Sequence, residues 1–144
     1  RHKHAIVSLV ERKSGYAVLA KVQNKTADLV STAIIKRLKP IAKRVRTLTY
    51  DNGKEFAGHA AIDKALGSTA YFADPYSSWQ RGSNENLNGL IRQYIPKSRP
   101  LATVTDAELA NIEWLLNNRP RKRLGYKTPH EIFTNSLSRV ALRA

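Results

Sequence analysis

Cysteine and methionine are both absent from the 144 residues of this chain. Without cysteine there are no disulfides, thiolate zinc sites or cysteine nucleophiles, and the chain is compatible with a cytoplasm. Without methionine there is no initiator, and the opening residues RHKH lead straight into a pattern that reads as the inside of a sheet. The chain is therefore expected to begin downstream of a segment it does not include. No apolar run approaches the roughly 20 residues a membrane helix needs. No N-terminal stretch reads as a secretory signal, and no membrane partner is expected. A Gly-rich phosphate loop is missing, so nucleotide binding is not implied. His2, His4, His59 and His130 match no zinc spacing. Ser83 lacks the glycine elbow that exposes a serine nucleophile.

Acids are scarce as well. Asp and Glu number 11 against 25 Lys and Arg, giving a net charge of +14 and a pI near 10.4. Such a surplus on a small protein favours a polyanionic partner. It is also clustered. Lys36, Arg37, Lys39, Lys43, Arg44 and Arg46 form one group, and RPRKRLGYK, Arg119 to Lys127, a denser one. Hydrophobic residues make up 42%, enough for a globular core, and the length fits one domain over residues 1–144.

The apolar periodicity predicts strands over His4 to Arg12 and Gly15 to Gln23, joined by a Ser14-Gly15 turn into a hairpin. A helix follows, with Leu29, Val30, Ala33, Ile34 and Leu38 on one face and its end near Pro40. Val45 to Tyr50 reads as a third strand running into the turn sequence Asp51-Asn52-Gly53. A short Ala-rich helix stops at Gly67, and Ser68 to Ala73 is a fourth strand. Asp74 to Gly82 reads as a loop. The remainder is expected to be helical: one helix capped by Ser83, one opened by a Thr105–Glu108 capping box with Leu109, Ile112, Leu115 and Leu116 buried, and one opened by a Thr128–Glu131 box. The expected fold class is α/β, a mixed sheet flanked by helices. It resembles a ribonuclease H-like core entered at its second strand, with the first strand missing from this chain.

Two acids stand out. Asp51 sits where a buried strand ends, a place where α/β folds expose functional groups. Alone it reads rather as the cap of its own turn. Glu85 opens an amphipathic helix whose inner face carries Leu87, Leu90, Ile91 and Tyr94. Its outer face carries Glu85, Asn88 and Arg92 beside Gly89, and alone it reads as solvated. Glycine inside a helix costs up to ~1 kcal/mol against alanine, which a bare surface does not require and close approach of a DNA backbone could use. Paired carboxylates in a positive field suit Mg²⁺ or Mn²⁺. Two metals held ~3.5–4 Å apart are how such carboxylates serve phosphoryl transfer. Asp63 reads as solvated and Asp74 as a turn residue.

TYDNGKEF, then DPYSSWQRGSNENLNGLIRQYIPK, then LNNRPRKRLGYKTPHEIF resemble DDE transposases of the IS-thirty insertion-sequence family. More distantly the chain is similar to retroviral integrase catalytic cores. The resemblance covers nearly the whole chain, and the three blocks occur together and in order. It implies that Asp51 is the second Asp and Glu85 the Glu of the catalytic triad, both holding metal. It implies a DNA-facing surface of Arg81, Asn88, Arg92 and Lys97, extended by Arg119, Arg121, Lys122, Arg123 and Lys127. Tyr126 is available for stacking or packing. The implied activity is metal-dependent cleavage and strand transfer at insertion-sequence ends on double-stranded DNA. A homo-multimer on DNA and a nucleoid-associated location follow from it.

One departure matters. The family's first Asp lies on a strand upstream of the opening hairpin, no acid precedes Glu11, and Glu11 falls late in its strand. No first Asp is assigned within 1–144, so the isolated chain is expected to bind metal weakly and cleave poorly. The alternatives are an inactive remnant that binds DNA or oligomerises, and a nuclease acting on RNA–DNA hybrids. The NNRPRKRLGYKTP block argues against the nuclease.

Overall fold

The computed structural model describes residues 3–74, 82–136 and 138–144. Strand β1, Ala5–Glu11, alternates as a two-sided strand must. Ala5, Val7 and Leu9 enter one core, while Ile6 and Val10 enter the other. It pairs antiparallel with β2, Ala17–Val22. The turn between them is braced by Glu11, which is buried and accepts the N–H groups of Lys13 and Ser14 at 2.9 Å each. Gly15 closes the turn at φ +73°.

Thr26 caps helix α1, Ala27–Leu38, with its side chain accepting Leu29 N–H at 3.2 Å. Val30, Ile34 and Leu38 are buried. Leu29 was expected on the same face but is 41% exposed. One residue is about 100° of helix, enough to carry it off the edge of the stripe. After Pro40 the chain makes 3-10 turns over Lys39–Arg44 and enters β3, Val45–Tyr50. Helix α2, His59–Leu66, ends at Gly67 in the left-handed region, and β4, Thr69–Phe72, runs parallel to β3. Asp63, expected to be solvated, is half-buried instead. It accepts Ser68 Oγ–H at 2.8 Å and Ala70 N–H at 3.0 Å, tying α2 to the start of β4.

Helices α3, Gly82–Tyr94, α4, Asp106–Asn117, and α5, Pro129–Asn135, follow in the expected order. The Ser83 cap falls on a side chain outside the described set. The Thr128–Glu131 box forms with both of its bonds. The Thr105 box forms only on the threonine side, because Glu108 turns to Arg99. Leu109, Ile112 and Leu116 are buried, whereas Leu115 is half-buried.

The chain does not end in helix. Val140–Arg143 forms β5, and the five strands order as β2-β1-β5-β3-β4. Strand β5 runs antiparallel to β1, with Val10 opposite Arg143, and parallel to β3, with Leu48 opposite Leu142. Ala144 N–H extends the ladder to Thr49 O at 2.9 Å. The mixed α/β sheet is therefore as expected, and its central place is filled from the C-terminal side. The inner edges of β1 and β3 are buried and each needs a hydrogen-bonding partner, and Leu142 between them is fully buried. On one face the sheet packs against α1, α2 and Phe133 of α5. On the other it packs against Leu87 and Ile91 of α3 and Leu109, Ile112 and Leu116 of α4.

Candidate functional site

The end of β3 and the start of α3 meet at one cleft. In β3 the buried residues Leu48 and Tyr50 anchor the strand, and Asp51 emerges at its C-terminal end. Asp51 Oδ1 accepts Gly53 N–H at 2.8 Å, so one carboxylate oxygen shapes the turn. Gly53 lets both carboxylates close in: a Cβ would lie 2.9 Å from Asp51 Oδ1 and closer still to the Glu55 carboxylate, so a side chain there would push Glu55 aside. Helix α3 is anchored by buried Leu87, Ile91 and, just past its end, Ile95. Asn84 Nδ2–H donates to Arg143 O at 3.3 Å, and Ser8 Oγ–H donates to Asn88 Oδ1 at 3.4 Å. These two contacts fix the helix over β5 and β1.

The result is a cleft of about 320 Å³ lined by Asp51, Glu55, Glu85, Asn88, Lys25 and Arg143, among others. Asp51 and Glu85, separated by 33 residues of sequence, thus share one wall-to-wall space. Two of its charged residues had no signal in the sequence. Glu55 reaches the cleft through the Gly53 turn and pairs with Lys25 at 3.7 Å. Arg143 reaches it because β5 is central. Burial, and after it the charge of Arg12, weighs against the Arg143 guanidinium, whose Nη1 is buried without a partner. As donors, Asp51 and Glu85 are hard oxygen ligands and fit Mg²⁺ or Mn²⁺ rather than soft metals. Among the described residues no group of three His, Asp or Glu is arranged to hold an ion.

A second groove adjoins the cleft and shares Ile6, Lys25 and Asn88 with it. Along it lie Gly89, Arg92 and Lys97. A Cβ on Gly89 would meet nothing within 4 Å, so nothing among the described residues demands glycine there. Arg92 and Lys97 go on to line the next depression with Ser98 and Arg99. Arg81 and Trp79 lie outside the described residues, and Asp74 is exposed just past β4.

The basic loop after α4 is a built turn. Tyr126 N–H donates to Arg121 O at 2.8 Å, and Arg121 N–H donates to Lys127 O at 3.0 Å. Arg119 and Arg121 are half-buried, while Lys122, Arg123 and Lys127 are exposed. Arg123 Nη1–H donates to Lys13 O at 3.0 Å, which docks the loop on the β1–β2 turn. Tyr126 does not pack; it is 68% exposed. The other basic cluster is partly consumed by structure. Arg37 pairs with Glu113 at 2.6 Å, and Arg44 lies 4.4 Å over the Phe133 ring. No helix among the described residues is long and apolar enough to cross a membrane.

No family model matches the chain. Curated relatives do. The transposase for insertion sequence element IS4351 of Bacteroides fragilis is 47% identical over 92% of this chain and 40% of its own length. Transposase InsI for insertion sequence element IS30A of Escherichia coli is 43% identical over 92% of this chain and 35% of its own. The transposase for insertion sequence element IS1086 of Cupriavidus metallidurans is 41% identical over 95% and 41%. The likeness to IS30-family transposases thus runs through almost all of this chain, which spans about two fifths of the length of these relatives. Among solved structures, a chain of the simian T-cell lymphotropic virus intasome in complex with the PP2A regulatory subunit B56 gamma superposes with a TM-score of 0.68. It is 17% identical, over 94% of this chain and 54% of that one, a likeness of fold: ribonuclease H-like, as expected from the order of elements.

Proposed function

We propose that this chain, matched by insertion-sequence transposases over nine-tenths of its length, is the catalytic core of a DNA transposase. The observation that carries the reading is the shared cleft of Asp51 and Glu85 in a protein of net charge +14. The substrate is double-stranded DNA, at the ends of an insertion sequence and at a target. Asp51 and Glu85 hold Mg²⁺ or Mn²⁺, which when bound supplies charge stabilisation at the phosphoryl group and acidifies a coordinated nucleophile. The residues of the chain do the positioning. Asn88, Arg92 and Lys97, along the adjoining groove, take the strand that enters the cleft. Arg81, Arg119, Arg121, Lys122, Arg123 and Lys127 contact phosphates, which fixes register without reading sequence. Joining two ends calls for a homo-multimer on DNA, acting at the bacterial nucleoid in the cytoplasm.

Strand transfer of a labelled duplex, with Mg²⁺ or Mn²⁺, tests the proposal in this chain and in the full reading frame that encodes it. Glu85→Gln is expected to abolish transfer and leave duplex affinity largely intact. An equal loss of binding assigns Glu85 a structural role. Duplex binding without any transfer in the full reading frame favours a DNA-binding remnant.

A further inference from the structure

We propose that the pocket between α3 and the β1–β2 turn is a seat for one DNA backbone phosphate, held by Arg12, Arg121 and Arg123. The inference rests on the proposed action on DNA and adds a defined contact to it. The pocket measures about 290 Å³ and lies beside Asn86 and Leu90, across the helix from the Glu85 cleft. Its lining contains three arginines and no acid. The ion pairs among the described residues are Lys25–Glu55, Arg37–Glu113 and Arg99–Glu108, all elsewhere.

Three guanidiniums in one depression repel one another unless an anion sits among them. Arg121 shows the cost. Burial acts against its charge first, and the charges of Arg119 and Arg123 add to that. Its Nε is shielded from solvent and has no partner. Arg123 is held in place from the other side by Lys13 O, and its Nη2 lies 3.3 Å from where a Cβ on Gly15 would be. Arg123 is thus fixed before any ligand arrives. Fixed guanidinium forks suit phosphate oxygens, and pre-ordering lowers the entropic cost of binding. Asn86 adds an amide at the rim. The pocket and the carboxylate cleft are lined by different faces of α3, Asn86 and Leu90 on one and Glu85 and Asn88 on the other. The pocket can therefore hold the strand whose neighbouring nucleotides reach Asp51 and Glu85.

Fluorescence anisotropy with a labelled duplex, repeated across salt concentrations, tests this on the 144-residue chain. The Arg12→Gln/Arg121→Gln pair should weaken binding about 10-fold for every duplex sequence, with the slope of log affinity against log salt reduced by about one. Lys64→Gln, an exposed cation on α2, should leave the slope unchanged, and Arg121→Lys should retain most of it. Urea midpoints of all variants separate lost contacts from lost folding. An unchanged slope in the double variant overturns the pocket while leaving the transposase reading intact, provided Glu85-dependent transfer persists. Protection by inorganic phosphate with no effect of the variants on duplex binding also overturns it, because the pocket is then a small-anion site. Failure of the full reading frame to bind any duplex removes both.

Discussion

Asn117 of α4 and Ala17 of β2, one hundred residues apart, exchange two hydrogen bonds of 2.8 Å each. Ala17 N–H donates to Oδ1, and Nδ2–H donates to Ala17 O, so the amide imitates a neighbouring strand. The same edge continues at Leu19, whose N–H donates to Glu113 at 2.7 Å and whose carbonyl accepts Arg37 Nε–H at 3.2 Å. Strand β2 is the outer strand of the sheet. Its open edge is closed by side chains of α4 and α1 rather than by another strand, which guards against edge-to-edge pairing.

Asn117 is buried, so Asn117→Leu should destabilise the chain by about 2–4 kcal/mol. Two backbone groups lose their partners, and each unsatisfied group costs about 1–3 kcal/mol, partly offset by the added apolar surface. Asn117→Asp keeps the acceptor and loses the donor, leaving a carboxylate facing a carbonyl, and should be no less harmful. Urea unfolding measures both. A shift under 0.5 kcal/mol for Asn117→Leu would mean that water or neighbouring backbone replaces the amide.

Asp51 caps its turn and is proposed to hold metal, and substitution can separate the two roles. Asp51→Asn retains an oxygen for Gly53 N–H, so the turn and the urea midpoint should hold. Strand transfer should fall by about two orders of magnitude or more, the scale seen when one group stabilising transition-state charge is removed. Asp51→Ala should lose the same activity and also about 1 kcal/mol of stability, the worth of the turn bond. Full activity in Asp51→Asn would remove Asp51 from the site.

These contrasts show what was legible beforehand. Strands β1 to β4 announce themselves by alternation and turn residues, whereas Asp51 and Glu85 each read alone as ordinary surface acids and stand out only as a pair set in the motifs that resemble transposases. Strand β5 does not, because Val140, Ala141 and Leu142 run consecutively rather than alternating with polar residues. Its place is decided by the unmet edges of β1 and β3, a long-range effect. Arg143 in the cleft was hidden for the same reason. Glu55 follows from the close Gly53 turn, and Asp63 from the return of the chain onto β4. Both depend on backbone path rather than on local pattern. The Arg12, Arg121 and Arg123 pocket joins residues from opposite ends of the sequence, so composition gave the charge but not the place.

Acid should weaken the fold through Glu108 and Glu131. The hydrogen bond from Arg99 holds the Glu108 carboxyl below its ordinary 4.5. The backbone hydrogen bond from Thr128 does the same first for Glu131. A folded value below the unfolded one means that the unfolded state takes up protons at higher pH. The stabilisation is therefore complete above about 4.5 and is lost as pH falls through the lowered values. Urea midpoints should stay level from pH 6 to 5 and decline toward pH 3. Glu108→Gln/Glu131→Gln should decline less steeply. Parallel declines would place the acid sensitivity in other carboxylates.

Tyr126 carries a backbone cost with no internal return. Its φ is +66°, directly after Gly125 at +63°, and its ring is 68% exposed. The left-handed region costs a non-glycine residue about 1–2 kcal/mol. Glycine avoids that but loses about 0.5–1 kcal/mol through the freedom of its unfolded chain. Tyr126→Gly should then leave stability unchanged or raise it by up to about 1 kcal/mol. Five cations surround the residue in sequence, Arg119, Arg121, Lys122, Arg123 and Lys127, so the ring is offered where phosphate contact is proposed. Stacking of one unpaired base on an aromatic ring is worth about 1–3 kcal/mol. Affinity for a duplex with a single-stranded overhang should accordingly fall about 5- to 150-fold in Tyr126→Gly, with Tyr126→Phe close to the unmodified chain. Tyr126→Asn tolerates the same backbone without a ring and should bind as poorly as the glycine variant. If the glycine variant unfolds more easily, the strain is balanced by packing within the loop. If affinity is unchanged, the ring does not touch DNA.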